Sequence, residues 1–413
     1  MDNLMTAQHA AGKVLVDPVF SVVKAAKDAV EKYGVEKVVN ATAGTIYDDQ
    51  ESFSTFSTVA DVMDSLSPAQ MMNYAPIAGI PGYGEAAIKF VFGDYRPDSY
   101  LSTVATPGGT GALRHVFFNY ADEGDTILIP DWFWGPYQII AGEFKRNVDS
   151  YQLFTEENNF NIESLQQKVS QMLKQQDRLI VVFNNPAHNP TGFSLNEEEW
   201  KATLDFFRDV AKDKSKHIVL LLDVAYMDYA GEPDKVREFF SLFGDLPDNI
   251  LVTVAFSMSK AFLAYGLRCG ALIAVSSSNK VIEEFQEATS YSNRANWSNV
   301  SRLPQELFVT LTNDSELIER VSRERQQLRR MIEARAAVFT KEAKQIGLDI
   351  CPYTAGFFIS IPSDNPQEQA KRLQEQYNIF LVPLKRGLRY AICSIPISKV
   401  SGLAQKTKQV MEG

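Results

Sequence analysis

The chain has 413 residues, 45% of them hydrophobic and 22% charged, a balance that excludes wholesale disorder. Its 41 Lys and Arg face 51 Asp and Glu for a formal charge of -10, so there is no broad basic footprint for a phosphate backbone, and nucleic acid is not expected as a partner. Three cysteines (Cys269, Cys351 and Cys393) form no CxxC pair, which argues against a disulfide framework or a zinc cluster. No run reaches the ~18 consecutive apolar residues of a membrane span. The opening MDNLMTAQHAAGK has neither a basic nor an apolar signal region, so the expectation is a cytoplasmic protein free of membranes.

The first predicted element is a helix that Asp17 caps, Pro18 opens and Gly34 ends, with Phe20, Val23, Ala26 and Val30 along one face. Short apolar runs rich in β-branched residues follow at Thr126–Pro130, Leu179–Phe183, Ile218–Leu222, Ile250–Ala255 and Gly270–Val275. Helical stretches such as Ile162–Gln175 and Glu197–Ala211 separate most of them. Runs apolar on both faces read as buried strands, and their alternation with helices as crossovers in a largely parallel sheet. A long amphipathic helix is predicted from Asn313, whose side chain caps it while Glu316 reaches back. Leu317, Ile318, Val321, Leu328, Met331, Ile332, Val338 and Phe339 keep its period, whereas Arg325 and Arg335 interrupt the stripe and predict incomplete burial. A helix of that length spans two units. Strands at Phe357–Ile361, Ile379–Pro383 and Arg389–Cys393, with a helix at Asn365–Gln376, then make a smaller α/β layer on which the N-terminal helix is expected to pack.

Most polar motifs stand just after a predicted strand, where α/β sheets place their ligand crevices. Thr106-Pro107-Gly108-Gly109-Thr110-Gly111 opens an apolar helix, so Gly109 and Thr110 can offer backbone N–H groups to an anion; alone, the string reads equally as a capped tight turn. Asp223 ends HIVLLLD, with Tyr226 beyond it. A carboxylate there is costly unless a cation, a metal or a protonated heteroatom pairs with it, a structural ion pair being the commoner case. The four histidines (His9, His115, His188 and His217) are scattered, which argues against a metal. Ser257-Met258-Ser259-Lys260 follows ILVTVAF and precedes Arg268. Most lysines are solvated, but one delivered from a buried strand has a lowered pKa and can form a Schiff base with a carbonyl. Two Asn-Pro pairs around His188 set a rigid turn that can hold the Asn189 amide, and Trp134 in DWFWG is either core or a face for a flat ring. An anion cradle, an aromatic platform, a buried carboxylate, a phenol, an amide and an amine together suit a flat, anionic, carbonyl-bearing cofactor, and pyridoxal phosphate meets those demands.

From about Val38 to Ile395 the chain resembles the fold-type I, pyridoxal-phosphate-dependent class I aminotransferases, in their aspartate/aromatic branch. TPGGTGALR, HNPTG, the DxAY of Asp223–Tyr226 and SxSK with Arg268 eight residues after Lys260 occur in the family's order. The resemblance implies an α/β fold with a mostly parallel central sheet in a large cofactor-binding domain, 51–319, and a smaller α/β domain built from 1–50 and 320–413. Lys260 would carry pyridoxal 5'-phosphate and shuttle the substrate proton, and Asp223 would pair with the ring nitrogen. Tyr226 and Asn189 would bond the ring's phenolic oxygen, and Trp134 would stack on its face. Gly109, Thr110, Ser257 and Arg268, with Ser259 in a lesser role, would hold the phosphate.

Arg389 looks like the arginine that grips the substrate α-carboxylate, and Gly44 like the glycine that lets the N-terminal segment lie close over the substrate. Tyr74 resembles a phosphate-contacting tyrosine supplied by the neighbouring subunit. Arg294 in RANWSN resembles the arginine, also from the other subunit, that binds the distal carboxylate of a dicarboxylic substrate; aromatic substrates are tolerated in this branch when it swings aside. The implied protein is a homodimer with shared active sites that runs a ping-pong transamination between an L-amino acid, aspartate or aromatic, and a 2-oxo acid such as 2-oxoglutarate. Other reactions of the same fold (a β-lyase, racemase or decarboxylase) or a non-catalytic ligand-sensing role are the alternatives. One departure matters most. Where the family has a WxNH-like continuation, this chain reads Trp134-Gly135-Pro136-Tyr137, which removes a histidine near the ring and leaves the support of Asp223 open.

Overall fold

Residues 5–15 and 18–413 are described in the computed structural model of the chain. The expected Asp17 cap lies outside them, as does the Phe20 side chain. Among the described residues eleven strands form: β1 (Val39–Ala41), β2 (Tyr100–Thr106), β3 (Thr126–Pro130), β4 (Asn147–Tyr151), β5 (Arg178–Asn184), β6 (His217–Asp223), β7 (Ile250–Ser257), β8 (Gly270–Ser276), β9 (Phe358–Pro362), β10 (Ile379–Leu384) and β11 (Gly387–Ala391). They make a seven-stranded sheet in the order β2-β8-β7-β6-β5-β3-β4 and a four-stranded sheet in the order β1-β10-β11-β9. In the larger sheet every pairing is parallel except those of β8, which runs against both β2 and β7.

The continuous apolar runs have a simple cause. Both faces of the larger sheet are covered, and every residue of β7 and β8 is buried. One face carries Ile180, Val182, Val219, Leu221 and Leu272 against Ala112, Leu113, Val116 and Phe117 of the helix Gly108–Asn119. The alternate residues Val181, Phe183, Leu220, Leu222 and Ile273 face the other way, with Trp200, Leu204 and Phe207 of the helix Glu197–Val210. Each such side chain contributes about 1.5–3 kcal/mol relative to exposure.

Three strands carry no such run. Strand β4 is an edge strand with only Tyr151 buried, β2 buries only its last three residues, and β1 is three residues long. In the smaller sheet β1 lies parallel to β10, and Ala26 and Ala29 of the helix Pro18–Tyr33 pack on Val38 and Phe380, as expected of the N-terminal helix.

Three expectations need correction. The long helix runs Ser315–Ile346 and its cap is Asp314, whose carboxylate accepts from the N–H groups of Glu316 and Leu317; Asn313 instead ends a separate helix, Arg302–Asn313. Arg325 and Arg335 are buried. The Arg335 guanidinium, fully enclosed, donates to Asp49 at 2.7 Å and to the carbonyls of Tyr47 and Cys393 at 2.9 Å each, so its polar groups are met inside the protein. Strand β11 begins two residues before Arg389 and ends at Ala391, after which residues 392–394 turn away as a short 3-10 segment. Among the described residues no helix is long and apolar enough to cross a membrane.

Candidate active site

The strands β2, β3, β5, β6 and β7 all point the same way, so their C-terminal ends share one edge of the sheet. A cavity of about 730 Å³ opens there, and β10 and β11 supply part of its wall. The structure brings Gly44, Gly109, Thr110, Trp134, Asn189, Asp223, Tyr226, Ser257, Lys260, Arg268 and Arg389 into its lining.

At one end the helix Gly108–Asn119 presents its N-terminus, where backbone N–H groups have no helical partner and the helix dipole is positive. Gly108 is in the left-handed region at φ 71°, and a Cβ there would stand 2.7 Å from Arg268 Nη2. Arg268 is fixed by donating from Nη1 to the Tyr265 carbonyl at 2.8 Å and to Ser259 Oγ at 3.2 Å. Ser257 donates to Ser259 Oγ at 3.0 Å. Hydroxyls, a guanidinium and helix N–H groups thus converge on a space suited to a phosphate-sized anion.

The floor is Asp223, the last residue of β6. Tyr137 donates its phenol to Asp223 Oδ2 at 2.6 Å, the Ala225 N–H reaches Oδ1 at 3.2 Å, and the Asn184 amide donates to the Asp223 carbonyl at 2.9 Å. Burial raises the Asp223 carboxyl above its ordinary range, while Tyr137, Ala225 and the Lys260 charge pull the other way. The Tyr137 phenol, enclosed beside that carboxylate, is pushed well above its usual value and keeps its proton.

Lys260, on the short helix Met258–Ala261 after β7, places Nζ 4.5 Å from the centre of the Tyr265 ring and 5.8 Å from that of Tyr226. Burial depresses its pKa to about 8, reinforced by Arg268 and Arg389 and opposed by Cys393 and Asp223. About a tenth of the molecules then carry an uncharged amine at pH 7, several hundred times the share of a free lysine, and a nucleophilic or basic amine must be uncharged. Asn189 donates to Tyr226 Oη at 3.2 Å and accepts from Arg389 Nη1 at 3.2 Å, so one amide aligns the phenol and the guanidinium. Arg389 also donates to the Thr42 carbonyl at 3.2 Å. Gly44 runs past the Phe358 ring, which would lie 3.1 Å from a Cβ at that position.

Tyr74 and Arg294 stand outside this cavity. Tyr74 is 83% exposed, and Arg294, near the end of the helix Asn279–Trp297, donates to Ser298 Oγ at 2.6 Å. Sequence reasoning missed two residues. Tyr137 occupies the place where the motif departed from pattern, so the departure itself was the signal. Tyr265 accepts from the Ile46 N–H at 3.3 Å and faces Lys260, and its position between Lys260 and Arg268 on the same strand connection was the available clue. An apolar wall of Phe133, Ile139, Val382 and Leu384 also lines the cavity and carried no motif.

A seven-stranded sheet with one reversed strand, a smaller α/β unit and a lysine at the strand ends define a fold-type I transferase. The aminotransferase class I and II model matches residues 36–405, and the chain belongs to that family: it is an enzyme of the transaminase class, whose chemistry is pyridoxal-phosphate-dependent. An aminotransferase structure from Anaerococcus prevotii is 40% identical, superposes with a TM-score of 0.97 and covers 99% of this chain and 100% of its own. The mitochondrial aspartate aminotransferase of Dictyostelium discoideum is 26% identical over 350 residues, 80% of this chain and 77% of that protein. The aromatic-amino-acid aminotransferase of Pseudomonas aeruginosa is 26% identical over 311 residues, 74% of each. The Burkholderia pseudomallei aromatic-amino-acid aminotransferase, covalently bound to pyridoxal phosphate, shares the fold at a TM-score of 0.78 and 21% identity, covering 98% of this chain and all of its own.

Proposed function

We propose that the cavity holds pyridoxal 5'-phosphate and that the enzyme moves an amino group between an L-amino acid, aspartate or aromatic, and a 2-oxo acid such as 2-oxoglutarate, in a ping-pong cycle. One observation carries this reading: an amine of lowered pKa, a buried carboxylate and an anion cradle line a single cavity. Gly109, Thr110, Ser257 and Arg268 would take the phosphate, Asp223 the ring nitrogen, Tyr226 and Asn189 the ring oxygen, and Trp134 one ring face. When bound, the cofactor supplies an electron sink for the substrate α-carbon.

The rest is the work of the chain's own groups. Arg389, held by Asn189 and Thr42, presents a guanidinium that matches a planar carboxylate, a charge-assisted pairing that contributes roughly 1.5–3 kcal/mol. That grip orients the α-carbon toward Lys260. Lys260 Nζ, its pKa lowered by burial, would accept the α-proton and pass it to C4′ of the cofactor within the same half-reaction, the reverse transfer serving the other half. Tyr265 and Tyr226 flank the amine and limit its motion.

We place the enzyme in the cytoplasm as a homodimer with shared active sites, in which Tyr74 and Arg294 of each subunit would serve the neighbour's cavity. Their positions outside their own chain's cavity support that arrangement. The apolar wall of Phe133, Ile139, Val382 and Leu384 favours an aromatic side chain as one class of donor. The test is a donor panel with 2-oxoglutarate as acceptor, run beside Lys260→Ala. The wild type should carry a visible cofactor absorbance that borohydride abolishes, and the variant should lack both the absorbance and the turnover. A variant with an unchanged spectrum would overturn the assignment.

A further inference from the structure

We infer that Tyr137 is the positioning residue of the Asp223 carboxylate, a phenol donor that fixes its plane and supports its charge. This rests on the reading of Asp223 as the partner of the cofactor's ring nitrogen. Tyr137 follows Trp134 by three residues, in the segment where an imidazole was expected from the motif. It sits in the first turn of the helix Pro136–Glu143 with no exposed surface, and its phenol meets Asp223 Oδ2 at 2.6 Å.

The geometry leaves the phenol little freedom. The Trp134 ring packs edge-on against Tyr137, with centroids 5.5 Å apart and planes at 85°, and Phe117 closes another side at 6.4 Å. Trp134 itself lines the cavity, so the residue offered as the ring's platform also braces the residue that holds the ring's carboxylate. With Oδ2 taken by Tyr137 and Oδ1 by the Ala225 N–H, the plane of the carboxylate is set before any ligand arrives. Each oxygen retains lone-pair capacity for one more donor.

Chemistry separates a phenol from an imidazole here. An imidazole changes charge between pH 5 and 8. Tyr137 keeps its proton throughout that range. The other titrating groups felt around Asp223 are Tyr226, also pushed up by burial, and Lys260. Its register partners Asn184 on β5 and Ala255 on β7 bring no charge. Within the physiological window only Lys260 then alters the field at Asp223.

Tyr137→Phe, Tyr137→His and Asp223→Asn are the variants to compare. Two quantities are read: the dissociation constant for pyridoxal phosphate between pH 5.5 and 8, and the Asp223 carboxyl titration in the cofactor-free protein by isotope-edited infrared spectroscopy. In Tyr137→Phe the carboxyl should titrate at higher pH, and cofactor affinity should fall roughly ten- to hundredfold, the worth of one hydrogen bond to a charged group. Tyr137→His should recover affinity and add an imidazole titration to the pH dependence that Lys260 already gives the wild type. An unshifted carboxyl in Tyr137→Phe overturns the inference, since a purely packing role leaves that titration where it was. Should Tyr137→Phe fail to fold, 3-fluorotyrosine at position 137 keeps the shape, strengthens the donor and should move the titration down; no movement overturns the inference equally. If Asp223→Asn binds the cofactor as tightly as the wild type, the reading of Asp223 has failed. If Asp223→Asn weakens binding and Tyr137→Phe does not, only the role of Tyr137 falls.

Discussion

The guanidinium of Arg389 lies 4.4 Å from the centre of the Phe358 ring. With Asn189 and the Thr42 carbonyl at its edges, this leaves the cation oriented by three different contacts before substrate binds. A lysine keeps the charge but loses the planar fork and the stacking. Arg389→Lys should therefore raise KM for amino and 2-oxo acids alike by roughly ten- to hundredfold, with a smaller loss in kcat. Steady-state kinetics on both half-reactions checks this, and equal KM values for variant and wild type contradict it.

Lys260 connects the site to stability. Its folded pKa of about 8 lies below the 10.5 of a free lysine. Below about pH 8 the cofactor-free protein bears the full cost of a buried ammonium; between about 8 and 10.5 it sheds a proton that the unfolded chain keeps, so stability rises with pH across that window. Lys260→Met should be more stable than the wild type at pH 7 by up to about 3 kcal/mol, with the gap closing as pH approaches 10.5. Denaturation of both cofactor-free proteins from pH 7 to 10 measures this. A gap that stays constant rules it out.

Arg294 tests donor choice. If it serves a neighbouring cavity's distal carboxylate, Arg294→Ala should raise the kcat/KM ratio for phenylalanine over aspartate at least tenfold, about 1.4 kcal/mol, while the apolar wall preserves the aromatic rate. An unchanged ratio removes Arg294 from that role.

Arg335 has no exposed surface, and its replacement by methionine removes one donor each from Asp49 and from the carbonyls of Tyr47 and Cys393, although Asp49 keeps the Ile397 N–H and the Cys393 carbonyl keeps the Tyr47 N–H. The Asp49 carboxylate left behind is exposed to water, so the loss is that of the guanidinium's hydrogen bonds to buried carbonyls, about 1–3 kcal/mol. Arg335→Met should lower the melting temperature by several degrees, and calorimetry with and without cofactor reads it directly.

How far sequence alone carried depended on burial. β5, β6 and β7 are legible because both faces are covered, which forces an unbroken apolar run such as IVLLL in β6. β4 is not, because an edge strand needs only one inward residue, Tyr151, and its neighbours are free to be polar. The true cap of the long helix was missed because Asn313 and Asp314 are adjacent and equally able to cap, and only the preceding helix, Arg302–Asn313, decides between them. Arg335 was read as an interruption because composition counts its charge, whereas its partners Asp49 and Cys393 lie far away along the chain. At the site, residues at strand ends were readable because position and chemistry coincide there. Tyr137 was not, because a phenol in an apolar helix looks like core until its hydroxyl is seen against Asp223.

The reversal of β8 has an outcome for how the site is assembled. Ser257 and Gly270 stand opposite one another, so the segment between them leaves the sheet and returns at the same spot. A rightward crossover would have carried the chain to the far side before it could come back. This excursion instead stays local, and the amine of Lys260 and the guanidinium of Arg268 hang from one pinned loop whose two ends cannot drift apart without unzipping the β7–β8 ladder.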